Sequence, residues 1–282
     1  MPELSAGGDV PELSAGGRLH VRSVEGALAV LGGVYANHRA LRAVLEDARD
    51  RGAVRIFCLG DLGGFGPNPD RVFPILEEYG VETVAGNYDR SLAARLADCG
   101  CGYAHPRDNA YARRSYEYTN RCTTDPQRRW LAALPSEIRF TRGGKRWLLC
   151  HGSPRRVNEF LWDSATSDRF LDRLMRESGA DQILCTHTGL HWQRTLPGGG
   201  RVVNVGAIGR PANDGRTEVW YAFFEPGAEA ACFVPVAYDH EALAREMEDE
   251  ALPEEFVETI RTGWWTTCLE ILPAKERARG RF

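Results

Sequence analysis

The first third of the chain alternates between short apolar runs and amphipathic segments, and this alternation restricts the fold more than any other feature. Three apolar runs, ALAVLGG, VRIFCLG and ETVAG, have the length and character of buried strands. Between them, HRALRAVLEDARDRG has the apolar spacing of a helix, and PDRVFPILEEYG predicts a second helix interrupted near Pro74. A β-α-β-α-β order predicts an α/β protein whose parallel sheet has right-handed crossovers.

The second half pairs its strands locally. The sequence EIRFTRGGKRWLLCHG predicts a hairpin around Gly143 and Gly144, after a helical and loop-rich stretch over residues 90–134. A helix is predicted at about 165–178, and four further strands at DQILCTH, GRVVNVGA, TEVWYAFFE and AACFVPVAY. Two helices, near 240–250 and 253–262, close the chain. Since no linker separates the halves, we expect two stacked sheets with helices outside, in one domain over residues 21–282 that ends in a helical tail from about residue 240.

The amino terminus contains a repeat, PELSAGGDV followed directly by PELSAGGRL. Two copies of a short segment rich in Gly and Ser are too few to build a repeat fold. We therefore expect residues 1–20 to form a flexible tail.

Charge, hydropathy and cysteine usage exclude several classes of protein. The net charge is −4 over 282 residues, so nucleic acid is not an expected partner. No apolar run is long enough for a membrane span, and the first twenty residues lack the apolar stretch of a signal peptide. Several of the eight cysteines lie in predicted buried strands, which favours a reduced, cytoplasmic protein.

Polar side chains follow four of the predicted strands. Asp61 comes just after the second strand and Asn87 and Asp89 after the third, while His151 lies at the end of the hairpin segment and His187 at the end of DQILCTH. The carboxyl ends of parallel strands meet at one edge of a sheet, where ligands bind. Two oxygen and two nitrogen donors, from Asp61, Asn87, His151 and His187, suit one divalent transition metal ion such as Mn, Fe or Zn.

Each of these residues has a structural explanation when it is taken alone. An Asp after a strand is usually a turn or helix-cap residue, and a single His is more often hydrogen-bonded than metal-bound. The ordered set, with a glycine beside each member, is what favours a site.

The order GDLGGFGP, GNYD, HGSP and THTG, within residues 27–215, resembles the calcineurin-like metallophosphoesterase superfamily. The resemblance implies a four-layer αββα sandwich of two mixed sheets flanked by helices, and hydrolysis of a phosphoester at a site of two metal ions. By this resemblance Asp61 corresponds to the bridging aspartate, and Asn87, His151 and His187 to the other ligands of the second metal. The turn NVGAIGRP, from Asn204 to Pro211, resembles a late turn of the family.

This chain departs from the family pattern at the groups that serve the first metal alone. Where the family has Asp-x-His after the first strand, this chain has Gly33 and Tyr35. Where the family has Gly-His-x-His, the second histidine is replaced by Gly189. Since all ligands of the second metal remain, we expect a mononuclear site.

Candidate catalytic residues are Tyr88, Asp89 and His191. Tyr88 replaces the histidine of the family's Gly-Asn-His-Asp motif, and a hydroxyl with a pKa of about 10 is a weaker acid at neutral pH. His191 is a candidate acid–base catalyst or additional metal ligand. The alternative is a loop histidine that makes ordinary hydrogen bonds. Tyr35 fills the volume of the first metal, or ligates a ferric ion as a phenolate.

Arg90, Arg155 and Arg156 lie next to predicted ligands and, with Tyr35, are the candidate substrate-binding residues. Arginine binds phosphate oxygens in a fork, although each of these residues has the alternative of a solvated surface position.

The sequence therefore predicts a metal-dependent phosphoesterase that acts on a small phosphorylated substrate. Two alternatives are an iron-dependent oxygenase or lyase on the same fold and an inactive binding or regulatory module. Beyond the resemblance, Trp264, Trp265 and Cys268 would be costly to expose, so we expect the C-terminal segment to dock across the body, with a homo-oligomer interface as the alternative.

Overall fold

The computed structural model describes residues 12–14 and 17–280 and has twelve strands and nine α-helices in that part of the chain. The strands are β1 Glu12–Ser14, β2 Arg18–Ser23, β3 Ala27–Leu31, β4 Ala53–Cys58, β5 Glu82–Thr83, β6 Glu137–Arg142, β7 Lys145–Cys150, β8 Gln182–Cys185, β9 His191–Thr195, β10 Arg201–Val205, β11 Val219–Phe224 and β12 Cys232–Val236. The helices are α1 His38–Asp50, α2 Val72–Glu78, α3 Asn87–Ala93, α4 Pro106–Cys122, α5 Asp125–Ala132, α6 Asp168–Ser178, α7 His240–Asp249, α8 Glu254–Thr262 and α9 Ala274–Arg277.

Two mixed sheets form the centre of the molecule. One has seven strands in the order β1-β2-β6-β7-β8-β10-β9, and the other has five in the order β12-β11-β3-β4-β5. In the five-stranded sheet β3, β4 and β5 are parallel, as the β-α-β-α-β pattern predicts. In the seven-stranded sheet β6 and β7 form the predicted antiparallel hairpin, and β7, β8 and β10 are parallel.

The alternation of side chains along the strands produces the layers. On β3, Leu28 and Val30 face the other sheet and pack with residues of β7, β8 and β10, such as Leu149. The opposite face of β3 packs under α1, whose inward residues include Leu41 and Val44. On the far side, α6 covers the outer face of the seven-stranded sheet. The result is an αββα sandwich, which confirms the predicted fold class.

The flexible-tail prediction is wrong for residues 12–14 and 17–20. β2 pairs in parallel with β6, and β1 pairs antiparallel with β2, so these residues extend the seven-stranded sheet. The backbone partners come from β6, more than a hundred residues away, and a local sequence pattern cannot reveal them. The rest of the predicted tail, residues 1–11 and 15–16, lies outside the described residues.

Two further differences from the sequence patterns have local causes. Pro74 does not interrupt α2, because it lies in the first turn, where the missing N–H has no partner to lose. β9 was not predicted, since HWQRT has no apolar run; its pairing with β10 across a Gly-rich turn defines it. No helix in the described part of the chain is both long enough and apolar enough to cross a membrane.

Candidate metal centre

The four predicted metal ligands lie at the carboxyl ends of strands and are all buried. Asp61 follows β4, Asn87 begins α3 after β5, His151 follows β7, and His187 follows β8. One potential ligand atom from each of Asp61, His151 and His187 lies within 4.8 Å of the other two. The stacking of the two sheets therefore brings Asp61, which follows a strand of one sheet, together with His151 and His187, which follow strands of the other.

The orientation of His151 is fixed by a backbone carbonyl. Its Nδ1 lies 2.6 Å from the carbonyl oxygen of Leu59, which can only accept, so Nδ1 carries the proton. The other nitrogen, Nε2, lies 3.1 Å from Asp61 Oδ2 and 3.1 Å from His187 Nδ1. An imidazole held by a carbonyl through one nitrogen presents the other as a metal ligand.

Asn87 has its amide nitrogen engaged and its oxygen free. Nδ2 donates to the carbonyl of Cys99 at 2.9 Å, whereas Oδ1 is buried without a hydrogen-bond partner in the described part of the chain. A buried polar atom without a partner is uncommon and needs an explanation. An amide oxygen, a carboxylate and two imidazoles are a donor set that fits a divalent cation, so the residue types present suit the group that the sequence predicts.

The electrostatics of the cluster match the same interpretation. Burial opposes ionisation of Asp61, but the imidazoles of His151 and His187 lower the pKa of this carboxyl overall. Burial and the neighbouring His151 lower the pKa of His187 to about 3, so that its imidazole is neutral at physiological pH. Asp61 and His187 are thus in the protonation states that metal binding requires. The pKa of His151 is shifted the other way: burial lowers it, but the Asp61 carboxylate raises it overall, so a bound cation would replace a proton there.

Tyr88 and Asp89 hold this centre in place through hydrogen bonds. The Tyr88 backbone N–H donates to Asp61 Oδ1 at 3.1 Å, and the Tyr88 hydroxyl lies 3.1 Å from Ser115 Oγ. The Asp89 carboxylate accepts from the backbone N–H groups of Asp61, Leu62 and Gly86. Burial and the Asp61 carboxylate raise the pKa of Asp89 to about 6, and burial raises that of Tyr88 above its usual value. Asp89 thus binds backbone groups, and the Tyr88 hydroxyl is a weak acid.

The turn between β3 and α1, residues 32–37, is called here the β3 crest, and the ring of Tyr35 fills the space within it. A Cβ placed on Gly33 would lie 2.6 Å from the Tyr35 ring, and one placed on Gly209 would lie 2.4 Å from Tyr35 Cβ. The ring therefore occupies the space beside Gly33, in agreement with the interpretation of Tyr35 as a filler. Burial raises the pKa of the Tyr35 hydroxyl above its usual value, which disfavours the phenolate.

Gly189 faces two other side chains. A Cβ on this residue would lie 3.2 Å from the Trp265 ring and 3.3 Å from Arg210 Nη2. At both Gly33 and Gly189, side chains of this chain therefore lie close to the space that a Cβ would take.

A cavity beside the metal cluster is lined by residues from both halves of the chain. Its walls include Tyr35, Asp61, Tyr88, Cys101, Tyr103, Ser115, His187, Arg210, Thr267 and Cys268. Sequence reasoning did not select Arg210, although it belongs to the quoted NVGAIGRP turn, or Ser115 of α4. Cys101 forms a disulfide with Cys99, whereas the sequence predicted reduced cysteines.

The three predicted substrate arginines do not line this cavity. A second cavity is bordered by Arg90, Arg155 and Arg156. The buried His151 also belongs to its lining. All three arginines are exposed, and Arg155 pairs with Glu159 at 2.9 Å. Their role in substrate binding stays a prediction that the geometry does not favour.

His191 lies apart from the cluster as well. It begins β9, with its ring 4.8 Å from that of Trp220 and 4.6 Å from that of Phe233. Burial lowers the pKa of His191 to about 4. The acid–base role of His191 stays a prediction. In the structure its ring packs between two aromatic side chains, as a core residue does.

The C-terminal segment docks across the body, as expected. Trp265 is buried, and its Nε1 donates to the carbonyl of Pro211 at 2.7 Å. Glu276 is buried and accepts from the Ser164 backbone N–H at 2.8 Å. Thr267 and Cys268 also form part of the cavity wall, so the segment contributes to the site.

Comparison with known proteins identifies relatives over most of the chain. The profile of the calcineurin-like phosphoesterase superfamily domain matches residues 27–226. An uncharacterised protein of Methanocaldococcus jannaschii is 25% identical over 256 residues, which cover 85% of this chain and 99% of that protein.

Two solved structures have a similar fold. A metallophosphoesterase from Sphaerobacter thermophilus is 24% identical with a TM-score of 0.66, covering 85% of this chain and 100% of that one. A hypothetical protein from Pyrococcus horikoshii is 22% identical with a TM-score of 0.71, covering 85% and 99%.

Proposed function

Since this chain belongs to the calcineurin-like phosphoesterase superfamily, we propose that it hydrolyses a phosphomonoester or phosphodiester of a small molecule with a single divalent transition metal ion. Asp61, Asn87, His151 and His187 would hold the ion, which is Mn, Fe or Zn. The observation that carries the proposal is the buried Asp61–His151–His187 cluster, supported by Asn87 Oδ1, which is buried and has no hydrogen-bond partner among the described residues.

The ion, when bound, supplies a Lewis acid that polarises a phosphoryl oxygen and makes an attacking water more acidic. The chain's own residues orient the ligands: the Leu59 carbonyl fixes the His151 ring, and the Tyr88 and Asp89 hydrogen bonds fix Asp61. These contacts fix the orientations of His151 and Asp61 before the substrate binds. Groups that need not reorganise during the reaction lower its activation free energy.

The tyrosine in place of the family's histidine affects the leaving group. The Tyr88 hydroxyl can donate a hydrogen bond but is a weaker general acid than a histidine near neutral pH, because burial raises its pKa further. Substrates whose leaving oxygen needs little protonation, such as aryl phosphates, are therefore the better substrates.

The single-ion part of the proposal is supported by the two filled positions. The Tyr35 ring covers Gly33, while Trp265 and Arg210 face Gly189. This packing supports a site with one ion, because side chains and not ligands lie next to both glycines.

Metal analysis combined with hydrolysis assays tests the proposal. The purified protein is stripped with a chelator, reloaded with Mn²⁺, Fe²⁺ or Zn²⁺, and assayed with 4-nitrophenyl phosphate and bis(4-nitrophenyl) phosphate. We expect one equivalent of bound ion and turnover that falls at least about a hundredfold in His151→Ala.

A matched control is His240→Ala, which removes an imidazole from the start of α7, outside the cavity. It is expected to retain turnover. Turnover that survives in His151→Ala would contradict the proposed site, and two bound equivalents would contradict the single-ion form.

A second candidate function, an iron-dependent oxygenase or lyase, is favoured by one observation. Two histidines and one carboxylate form the cluster, and this donor set is typical of non-haem Fe(II) enzymes. Oxygen consumption by the anaerobically iron-loaded protein, without hydrolysis of either ester, would favour this candidate.

A further inference from the structure

A buried arginine lines the same cavity as the metal cluster. Arg210 is only 7% exposed and borders the cavity together with Asp61 and His187. It lies in the turn after β10, which is tied to the β3 crest because the Gly209 N–H donates to the Gly33 carbonyl at 2.8 Å. The guanidinium is thus carried to the site by a turn that the fold holds rigidly.

The Arg210 guanidinium is held by aromatic rings. Its central carbon lies 3.5 Å from the centroid of the Trp265 ring and 5.9 Å from that of Tyr35. Stacking on a tryptophan face is a favourable arrangement for arginine and fixes the plane of the group. Trp265 is itself fixed by its hydrogen bond to Pro211.

No anionic partner balances this charge within the described residues. Arg210 makes no ion pair there, and its Nε is buried without a hydrogen-bond partner. An unpaired buried charge is costly, so buried guanidinium groups are paired with an anion or, like Arg128 and Arg142 here, hydrogen-bonded to backbone carbonyls. The missing partner points to an anion that comes from solution.

We propose that the Arg210 guanidinium binds an anionic oxygen of a phosphoryl group in this cavity, beside the metal cluster. The proposal rests on the proposed function, since it assigns a substrate-binding residue to the same site. Arginine presents donors in a fork that matches two phosphate oxygens. A fixed cation at this place also supplies positive charge beside Tyr35 and Trp265, next to the metal cluster.

The surroundings of Arg210 differ from those of the arginines predicted from the sequence. Arg155 is exposed and already paired with Glu159, and it borders the second cavity. Among these residues, only Arg210 is buried and shares a cavity with Asp61 and His187.

Phosphate binding to the metal-loaded protein tests this proposal directly. The variant is Arg210→Met, which keeps an unbranched apolar chain against Trp265 and removes the charge. The matched control is Arg216→Met, since Arg216 also stacks on a tryptophan, Trp220, at 4.7 Å but is exposed and paired with Asp214. Calorimetric titration with inorganic phosphate measures affinity, and elemental analysis measures bound metal.

We expect Arg210→Met to bind phosphate at least about tenfold more weakly than the unmodified protein, with unchanged metal content. Arg216→Met is expected to match the unmodified protein in both measurements. Arg210→Lys, which keeps the charge without the fork, serves as a second variant if Arg210→Met does not fold, and it should bind phosphate with an intermediate affinity.

Equal phosphate affinity in Arg210→Met and the unmodified protein would overturn the proposal, as would a metal-loaded protein that does not bind phosphate. Failure of the proposed function gives a different result. Phosphate binding that depends on Arg210, without hydrolysis of either ester, would support the role of Arg210 and contradict the proposed hydrolase activity. Ester hydrolysis together with an unchanged phosphate affinity in Arg210→Met would support the hydrolase proposal and overturn the role of Arg210.

Discussion

The side chain of His151 shows how one backbone group prepares a metal ligand. The Leu59 carbonyl accepts a hydrogen bond from the protonated Nδ1, so Nε2 is left to face Asp61 and His187. Leu59 and Asp61 lie two residues apart on the same crest after β4. The residues that follow this strand therefore provide both a ligand and the group that orients a second ligand from the other sheet.

His191 has a different environment, and it leads to a prediction about pH. Burial between Trp220 and Phe233 lowers its pKa to about 4, against about 6.5 in the unfolded chain. Between these values the unfolded state binds more protons, so the stability of the folded protein falls as pH decreases from about 6.5 to about 4, with a slope of at most about 1.4 kcal/mol per pH unit. Replacing His191 by Phe should remove this contribution.

The measurement is urea unfolding of both proteins between pH 7 and pH 4. The difference in free energy of unfolding, variant minus unmodified, should grow in favour of His191→Phe as pH decreases. Parallel curves over this range would show that His191 is not held neutral by its surroundings.

The β3 crest and the turn after β10 form one packed unit around Tyr35. The Tyr35 ring lies between Gly33 of the crest and Gly209 of the turn, and the Tyr35 N–H donates to the Asp61 carbonyl at 3.0 Å. Gly33 has no side chain, and the Tyr35 ring lies in the space that a side chain at this position would need. The β3 crest therefore presents an aromatic ring there and no polar ligand.

A double-mutant cycle tests this packing. Gly33→Ala would place a methyl group 2.6 Å from the Tyr35 ring, and overpacking of this kind costs about 1–3 kcal/mol of unfolding free energy. Combined with Tyr35→Ala, the same substitution should cost much less, because the ring is absent.

Urea denaturation of the two single variants and the double variant gives the coupling energy. Additive effects of the two substitutions would contradict the contact. A large coupling would confirm that the Tyr35 ring, and not open space, lies beside Gly33.

At the scale of the whole molecule, the metal cluster joins the two sheets. Asp61 comes from the five-stranded sheet and His151 and His187 from the seven-stranded sheet, so a bound ion would cross-link them. A ligand that binds only the folded state stabilises it, by about 2.7 kcal/mol at a free concentration one hundred times its Kd.

Chelation is therefore expected to lower the melting temperature by several degrees, and reloading with one equivalent of Mn²⁺ or Zn²⁺ is expected to restore it. Scanning calorimetry of the stripped and reloaded protein measures the shift. In His151→Ala the same treatments should leave the melting temperature nearly unchanged, and an equal shift in that variant would place the stabilising ion elsewhere.

The sequence by itself determined the alternation of strands and helices, and its motifs selected Asp61, His151 and His187, which the structure brings together, along with Asn87, whose role as a ligand stays a prediction. Periodicity records which face of an element is buried, and the residues after parallel strands lie at one edge by geometry. Asp61, Asn87, His151 and His187 could therefore be selected without coordinates.

Only the tertiary structure decided which side chains share a cavity. Arg210 enters through a turn held by β3, Trp265 arrives from the C-terminal segment, and the predicted arginines border the second cavity. β2 likewise joins the sheet through β6 rather than through its sequence neighbours. The physical reason is that these contacts join segments tens to hundreds of residues apart, and local patterns of hydropathy do not record how turns and termini pack on a finished sandwich.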